Sequence, residues 1–255
     1  MPEQRAAGNR LDDRLIERCE DIPASPPAGS YVVVDTMHFS NTVIELLANG
    51  AAHIHITDER GEEFAYQEAN PSARIGGGST DDYDPVDGYD FFNSPTYVQD
   101  IDVEGRPVSM TSSNGGRAVG MLRERLGTAS DIYVGSPMNA AALGHHLRGQ
   151  GKPVHLVSSG SGGERAIEDH IGATLVSRYL DGVPPATTEL ELFERQLRTA
   201  KGRAYLEKHP IRRNDVLEYA MAINERAVLP KLVGESLVDA GRPSESRRLA
   251  TEAAD

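Results

Sequence analysis

Short β-branched runs alternating with helical stripes constrain this chain more than any other feature. Tyr31-Val-Val-Val-Asp35 suits a strand buried on both faces. Val43, Leu46 and Leu47 then form a helical stripe that ends at Asn49-Gly50, a good C-cap. His53-Ile-His-Ile-Thr57 reads as the next strand and Glu59–Ala69 as the next helix. Such a β-α-β-α rhythm implies a largely parallel sheet, because parallel neighbours need a crossover that lays a helix on a sheet face. The rhythm breaks from Gly76 to Pro95, a long irregular segment of a kind that is either functional or disordered. It resumes with strands at Arg106–Thr111, Asp131–Val134 and Pro153–Ser158. Helices are expected at Asn114–Leu126, Asn139–Arg148 and Arg165–Leu180, the first burying Val119, Leu122 and Leu126. In the last of them Ile167, Ile171, Leu175 and Tyr179 make one buried stripe. The expected class is α/β, a three-layer α/β/α arrangement with a largely parallel or mixed sheet.

Residues 1–29 are polar, then rich in proline and alanine, and read as a loosely packed arm. Residues 30–240 read as an α/β domain, whole or in two lobes, and 241–255 as a flexible tail. After residue 185 the pattern changes to helices at Thr187–Leu197 and Asn214–Asn224 and a short apolar piece, Ala227–Val233. No run approaches the roughly 20 apolar residues that span a bilayer, and no apolar segment follows Met1-Pro2-Glu3-Gln4-Arg5. Cys19 is the only cysteine, which excludes an intrachain disulfide and a cysteine-rich zinc cage. A cytoplasmic location is expected. The 39 acids against 26 bases give a formal charge of −13, which repels nucleic acid and anionic membrane. The bases are 22 arginines and four lysines, Lys152, Lys201, Lys208 and Lys231. This acid-rich, lysine-poor composition suits a salt-loving host, where repulsion is screened, although an ordinary acidic protein has the same signs. Association of identical chains is compatible with all of this.

In parallel α/β sheets, ligands bind beyond the carboxyl ends of the strands. Three such ends carry similar polar turns: Asp35-Thr-Met-His-Phe-Ser-Asn-Thr42, Thr111-Ser-Ser-Asn-Gly-Gly116 and Ser158-Ser-Gly-Ser-Gly-Gly163. Free amides and the helix dipole there favour an anion such as phosphate, where a single turn would read as a plain N-cap. Asp35 sits at a strand end, and Glu168-Asp169 opens a long helix. The acidic pair suits a helix N-terminus, and equally suits hard-oxygen ligation of Mg²⁺ bridging to phosphate. Other sites fail. Asp35-Thr36-Met37 lacks the second acid of a haloacid-dehalogenase nucleophile, and Gly160-Ser-Gly-Gly163 is followed by Ala166 where a dinucleotide loop needs glycine. His53, His55, His145 and His146 read as non-catalytic.

Taken in order, these turns resemble the 2-phosphosulfolactate phosphatase family, from about Tyr31 to Leu180. The strand end Asp35-Thr36-Met37-His38-Phe39-Ser40-Asn41 is similar to its Asp-Val-Leu-Arg-Ala-Thr/Ser-Thr, and Gly88-Tyr-Asp-Phe-Phe-Asn-Ser-Pro95 to its Gly-Phe-Asp-x-Gly-Asn-Ser-Pro. Thr111–Gly116, Gly135–Ala142 and Ile167–Ala173 resemble its Thr-Thr-x-Asn-Gly-Thr, Gly-x-x-Asn and Leu-Glu-Asp segments. The resemblance implies a Mg²⁺-dependent phosphatase of the coenzyme M pathway, acting on a small phosphorylated organic acid such as 2-phosphosulfolactate. It implies Asp35, Asn114, Glu168 and Asp169 as catalytic residues, with Asp35, Glu168 and Asp169 holding or orienting the metal. His38, Ser40, Asn93, Ser94, Ser113 and Gly115 would hold phosphate and substrate oxygens. Departures fall at the site: His38 stands where the family has arginine, Gly76-Gly77-Gly78 where it has Gly-Glu-Arg, Phe92 where it has glycine, and Gly116 where it has a hydroxyl. The alternative reading is a catalytically diverged relative that binds a small anion or a partner protein.

Overall fold

In the computed structural model, which describes residues 11–127 and 130–242, the alternation becomes a ten-stranded mixed sheet with helices against it. A short helix α1 (Leu11–Arg14) leads into an edge strand β1 (Leu15–Ile16). Then follow β2 (Ser30–Val34), α2 (Phe39–Ala48), β3 (His53–Ile56), α3 (Glu62–Ala69), β4 (Arg74–Gly77) and β5 (Phe91–Phe92). Next come β6 (Pro107–Met110), α4 (Gly115–Arg125), β7 (Asp131–Gly135), α5 (Ala140–Gln150), β8 (Val154–Ser158) and α6 (Ile167–Leu180). The remainder is α7 (Thr187–Thr199), α8 (Arg203–Lys208), α9 (Pro210–Asn214), and the strands β9 (Pro230–Val233) and β10 (Ser236–Asp239).

The alternation of side chains along β2 sets the layers. Tyr31 and Val33 enter one core with Phe39, Val43, Leu46, Val119 and Leu122 of α2 and α4. Val32 and Val34 enter the other with Leu143, Leu147, Leu175 and Val176 of α5 and α6. All five residues of β2 are buried, which is why its run is apolar from Tyr31 to Val34.

The sheet order is β1-β8-β2-β7-β9-β10-β3-β6-β4-β5. It contains two parallel blocks, β1-β8-β2-β7 and β3-β6-β4-β5, joined by the antiparallel hairpin β9-β10. Gly234, at φ +63°, supplies the left-handed residue of that tight turn. Three antiparallel steps lie between β7 and β3, so the two blocks run in opposite directions. Laid flat, β2 and β6 would stand about 24 Å apart at five strand spacings. The loops that follow them nevertheless meet, with the Gly115 N–H 2.8 Å from Asp35 Oδ2. The sheet therefore curls about its hairpin and turns both sets of strand ends toward one place.

Several expectations are corrected. Part of the expected loose arm is packed, because Leu15 and Ile16 pair with Leu156 and Val157 while Cys19 and Ile22 are buried; residues 23–28 are mostly exposed. The segment from Gly76 to Pro95 holds the end of β4 and the whole of β5, with Asp90 accepting the Ile75 N–H at 2.8 Å. Ile167 is 48% exposed in the first turn of α6, while Ile171, Leu175 and Tyr179 are buried. The helix expected at Asn214–Asn224 is replaced by α9 and a π-helical turn, Asp215–Ala220. The expected flexible tail lies outside the described residues from 243 onward, as do the first ten residues of the arm.

Candidate active site

The acids expected at strand ends come together. Asp35 leaves β2, and its carboxylate accepts the Gly115 N–H at the start of α4. Only glycine permits this approach: a Cβ on Gly115 would lie 2.3 Å from the Phe39 ring and 2.8 Å from Asp35 Oδ2. The Asp35 N–H donates to Ser40 Oγ at 2.9 Å, which fixes the turn into α2. Asp169 accepts the Thr36 N–H at 2.8 Å on one oxygen and the Gly160 N–H at 3.0 Å on the other. It thereby ties the loops after β2 and β8 together. Glu168 forms an ion pair with Lys201, and its carbonyl accepts the Thr36 hydroxyl at 3.0 Å. Amides expected to receive an external anion are thus already engaged by the chain's own carboxylates.

Asp35, Glu168 and Asp169 are all at most 4% exposed. Burial pushes the Asp35 carboxyl up to about 6, with the Gly115 N–H and Lys201 opposing and Glu168 reinforcing the rise. Burial, then the charges of Asp35 and Glu168, raise Asp169 as well. Ser158 Oγ and Ser159 Oγ, on the strand end beside Asp35, are buried without a hydrogen-bond partner among the described residues.

A second cluster centres on Asp215, which accepts from Ser94 Oγ at 2.6 Å, the Thr96 N–H at 3.1 Å and Arg212 Nη1 at 3.0 Å. Arg212 also donates to the Asn93 carbonyl at 3.2 Å. Asn93 and Ser94 therefore anchor the C-terminal helices and do not line the cleft. The Arg212 guanidinium lies 5.0 Å from the Tyr83 ring centre and 5.2 Å from that of Phe92. Phe92, one of the departures from the family pattern, is its platform. His38 Nδ1 lies 3.5 Å from Asp215, and Nε2 hydrogen-bonds to the Tyr205 hydroxyl. Burial, then Arg212 and Lys201, hold His38 well below the usual imidazole range, so it is neutral near pH 7.

Between the clusters opens a cleft of about 480 Å³, bordered by His38, Thr80, Tyr83, Lys201, Tyr205, Lys208 and Arg212. Asp35, Glu168 and Asp169 line neither this cleft nor a larger hollow of about 720 Å³ behind α8 and α9, but the cleft reaches them through Lys201, the ion-pair partner of Glu168. Ser113 is exposed and Asn114 half-buried at the start of α4, and neither borders the cleft. Sequence reasoning missed Lys201, Tyr205, Lys208, Arg212 and Asp215, all on a segment beyond the recognised motifs. One signal was present: of only four lysines in the chain, two border this cleft.

Among the described residues no three His, Cys, Asp or Glu side chains stand together as a metal cage. Mg²⁺ seldom needs one, since it takes one or two carboxylates, keeps water and adds substrate phosphate. Asp35, Glu168 and the two unpartnered serine hydroxyls are the hard-oxygen donors it prefers, so the residues fit.

Residues 16–233 match the 2-phosphosulpholactate phosphatase family. The chain belongs to that family. A probable 2-phosphosulfolactate phosphatase of Symbiobacterium thermophilum is 29% identical over 178 residues, 69% of this chain and 75% of its own. One from Gloeobacter violaceus is 27% identical over 223 residues, covering 83% and 91%. One from Clostridium perfringens is 31% identical over 147 residues, covering 56% and 57%. Membership places the chain among phosphoric monoester hydrolases. The match runs past Leu180 to Val233, and so takes in the helices that border the cleft.

Proposed function

We propose that the chain hydrolyses a small phosphomonoester bearing further acid groups, 2-phosphosulfolactate being the substrate named for its relatives, with Mg²⁺ as cofactor. The observation that carries this reading is the cleft, where Lys201, Lys208 and Arg212 stand with Asp81, and Lys201 pairs with Glu168 of the buried acids beyond β2 and β8. Lys201 is paired with Glu168 and Arg212 with Asp215, so both would meet an anion as fixed hydrogen-bond donors while Lys208 adds its charge, which suits a small phosphomonoester with a further acid group. Arg212, fixed by Asp215 and Asn93, supplies the permanently charged guanidinium that His38 does not. Asp35 and Glu168 would hold the metal, and Asp169 would orient their loops. The metal, when bound, neutralises charge on the phosphoryl oxygens. His38, neutral, with Nε2 on the Tyr205 hydroxyl and Nδ1 beside Asp215, borders the cleft and would orient the Tyr205 hydroxyl toward substrate oxygens. The resemblance supports a place for the reaction in coenzyme M assembly, and the single cysteine supports a cytoplasmic setting. Among the described residues no helix is long and apolar enough to cross a membrane.

The test is phosphate release from a panel of phosphomonoesters at low and molar salt, with Mg²⁺ or with chelator. Turnover that needs Mg²⁺, favours polyanionic esters and falls at least about 100-fold in Asp35→Ala is expected. A folded wild-type chain that binds such esters without turning any over would instead be the non-catalytic, anion-binding relative.

A further inference from the structure

Lys201 touches both halves of the site. Its ammonium pairs with Glu168, whose side chain is 3% exposed, and the same residue borders the cleft with His38, Lys208 and Arg212. Its charge also acts on Asp35 and Asp169. Lys201 stands on the three-residue link between α7 and α8, with Gly202 at φ +76° after it, and carries its charge on a long, flexible stem. A buried carboxylate such as Glu168 is costly to leave without a cation, and two cations on one carboxylate repel each other.

We infer that Lys201 is a built-in rival of the divalent cation: it holds Glu168 while the metal is away and turns to the substrate's anion when the metal takes that carboxylate. The inference rests on the metal assignment proposed above. It makes Lys201 a positioning residue that couples metal loading to substrate capture, since a released ammonium would add to the charge of Lys208 and Arg212. Substrate would then bind more tightly to the metal-loaded chain, and by linkage metal would bind more tightly in the presence of substrate.

The experiment measures binding and does not depend on turnover. Mn²⁺ is titrated into the full-length wild type, Lys201→Ala and Lys201→Arg by its paramagnetic resonance signal, and inorganic phosphate is titrated calorimetrically with and without Mn²⁺. Lys201→Ala is expected to bind Mn²⁺ about tenfold more tightly or better, and to show a gain in phosphate affinity on adding Mn²⁺ at least about threefold smaller than that of the wild type. Lys201→Arg, which keeps the charge, should bind Mn²⁺ as weakly as the wild type. Should Lys201→Ala not fold, Lys201→Gln replaces it under the same expectations. A folded neutral variant whose Mn²⁺ affinity equals or falls below that of the wild type overturns the inference and leaves the metal assignment standing. No Mn²⁺ binding by any form, alongside metal-free turnover by the wild type, removes the assignment and the inference together.

Discussion

Asp169 gives both carboxylate oxygens to backbone amides, those of Thr36 and Gly160, whereas Asp35 receives one, from Gly115. The two acids should therefore respond oppositely to loss of charge. In Asp169→Asn the new amide nitrogen faces a backbone N–H and leaves it unsatisfied, which should cost about 1–3 kcal/mol in urea denaturation. Asp35→Asn keeps an oxygen for Gly115 and removes a charge that burial opposes. Asp35 is raised from 3.8 to about 6, so its protonated form is the one the fold favours. Such a group contributes stability below its unfolded value, and that contribution is lost as pH climbs through the folded value. Relative to wild type in chelator, Asp35→Asn should gain stability progressively from pH 3.8 to about 6, the span of the shift. The gain should level off near 3 kcal/mol, an order-of-magnitude figure from about 1.4 kcal/mol per tenfold change. The Asp35→Asn variant should be inactive throughout this range, while wild-type activity should rise with pH through about 6 as the carboxylate forms. Thermal unfolding of both proteins across that range checks it, and a variant less stable at neutral pH would contradict it.

At the scale of elements, the strands legible in the sequence are those in runs with β-branched residues between polar turns, β2, β3, β6, β7 and β8. Strands β1, β4 and β5 are two to four residues long, and β4 ends in glycines, so their pattern is too short to register. Gly76 and Gly77 have a packing reason: a Cβ on Gly76 would lie 2.5 Å from the Phe91 ring, on the neighbouring strand. Strand β10 escaped because the rhythm ahead of it spoke only for parallel neighbours. The junction of α4 with the loop after β2 was foreseen as a meeting of polar turns, and its tightness was not. Gly115→Ala drives a methyl group into Phe39 and Asp35, and should lower stability by about 1–3 kcal/mol and abolish phosphate release. A wild-type urea midpoint in that variant would show that the junction has room.

For the molecule as a whole, the acidic half of the site was readable because its residues follow strands, where chemistry is expected. The cationic half was not, since Lys208 and Arg212 lie on helices, and Lys201 on the link before them, whose place over the cleft is set by contacts such as Ser94 to Asp215, remote in sequence. Net charge acts at this scale too. With 39 acids against 26 bases, mutual repulsion opposes compactness until salt screens it. Raising KCl from about 0.1 M to about 2 M should raise the unfolding temperature by about 5 °C or more; a fall would reject the salt-loving reading. The hairpin at the centre of the sheet has a consequence for biosynthesis. Among the described strands it is the last pair to be translated, yet it separates blocks made from strands that precede it. Nascent chains can assemble each block early, but the curl that brings Asp35 to Gly115 must await translation of residues 230–239.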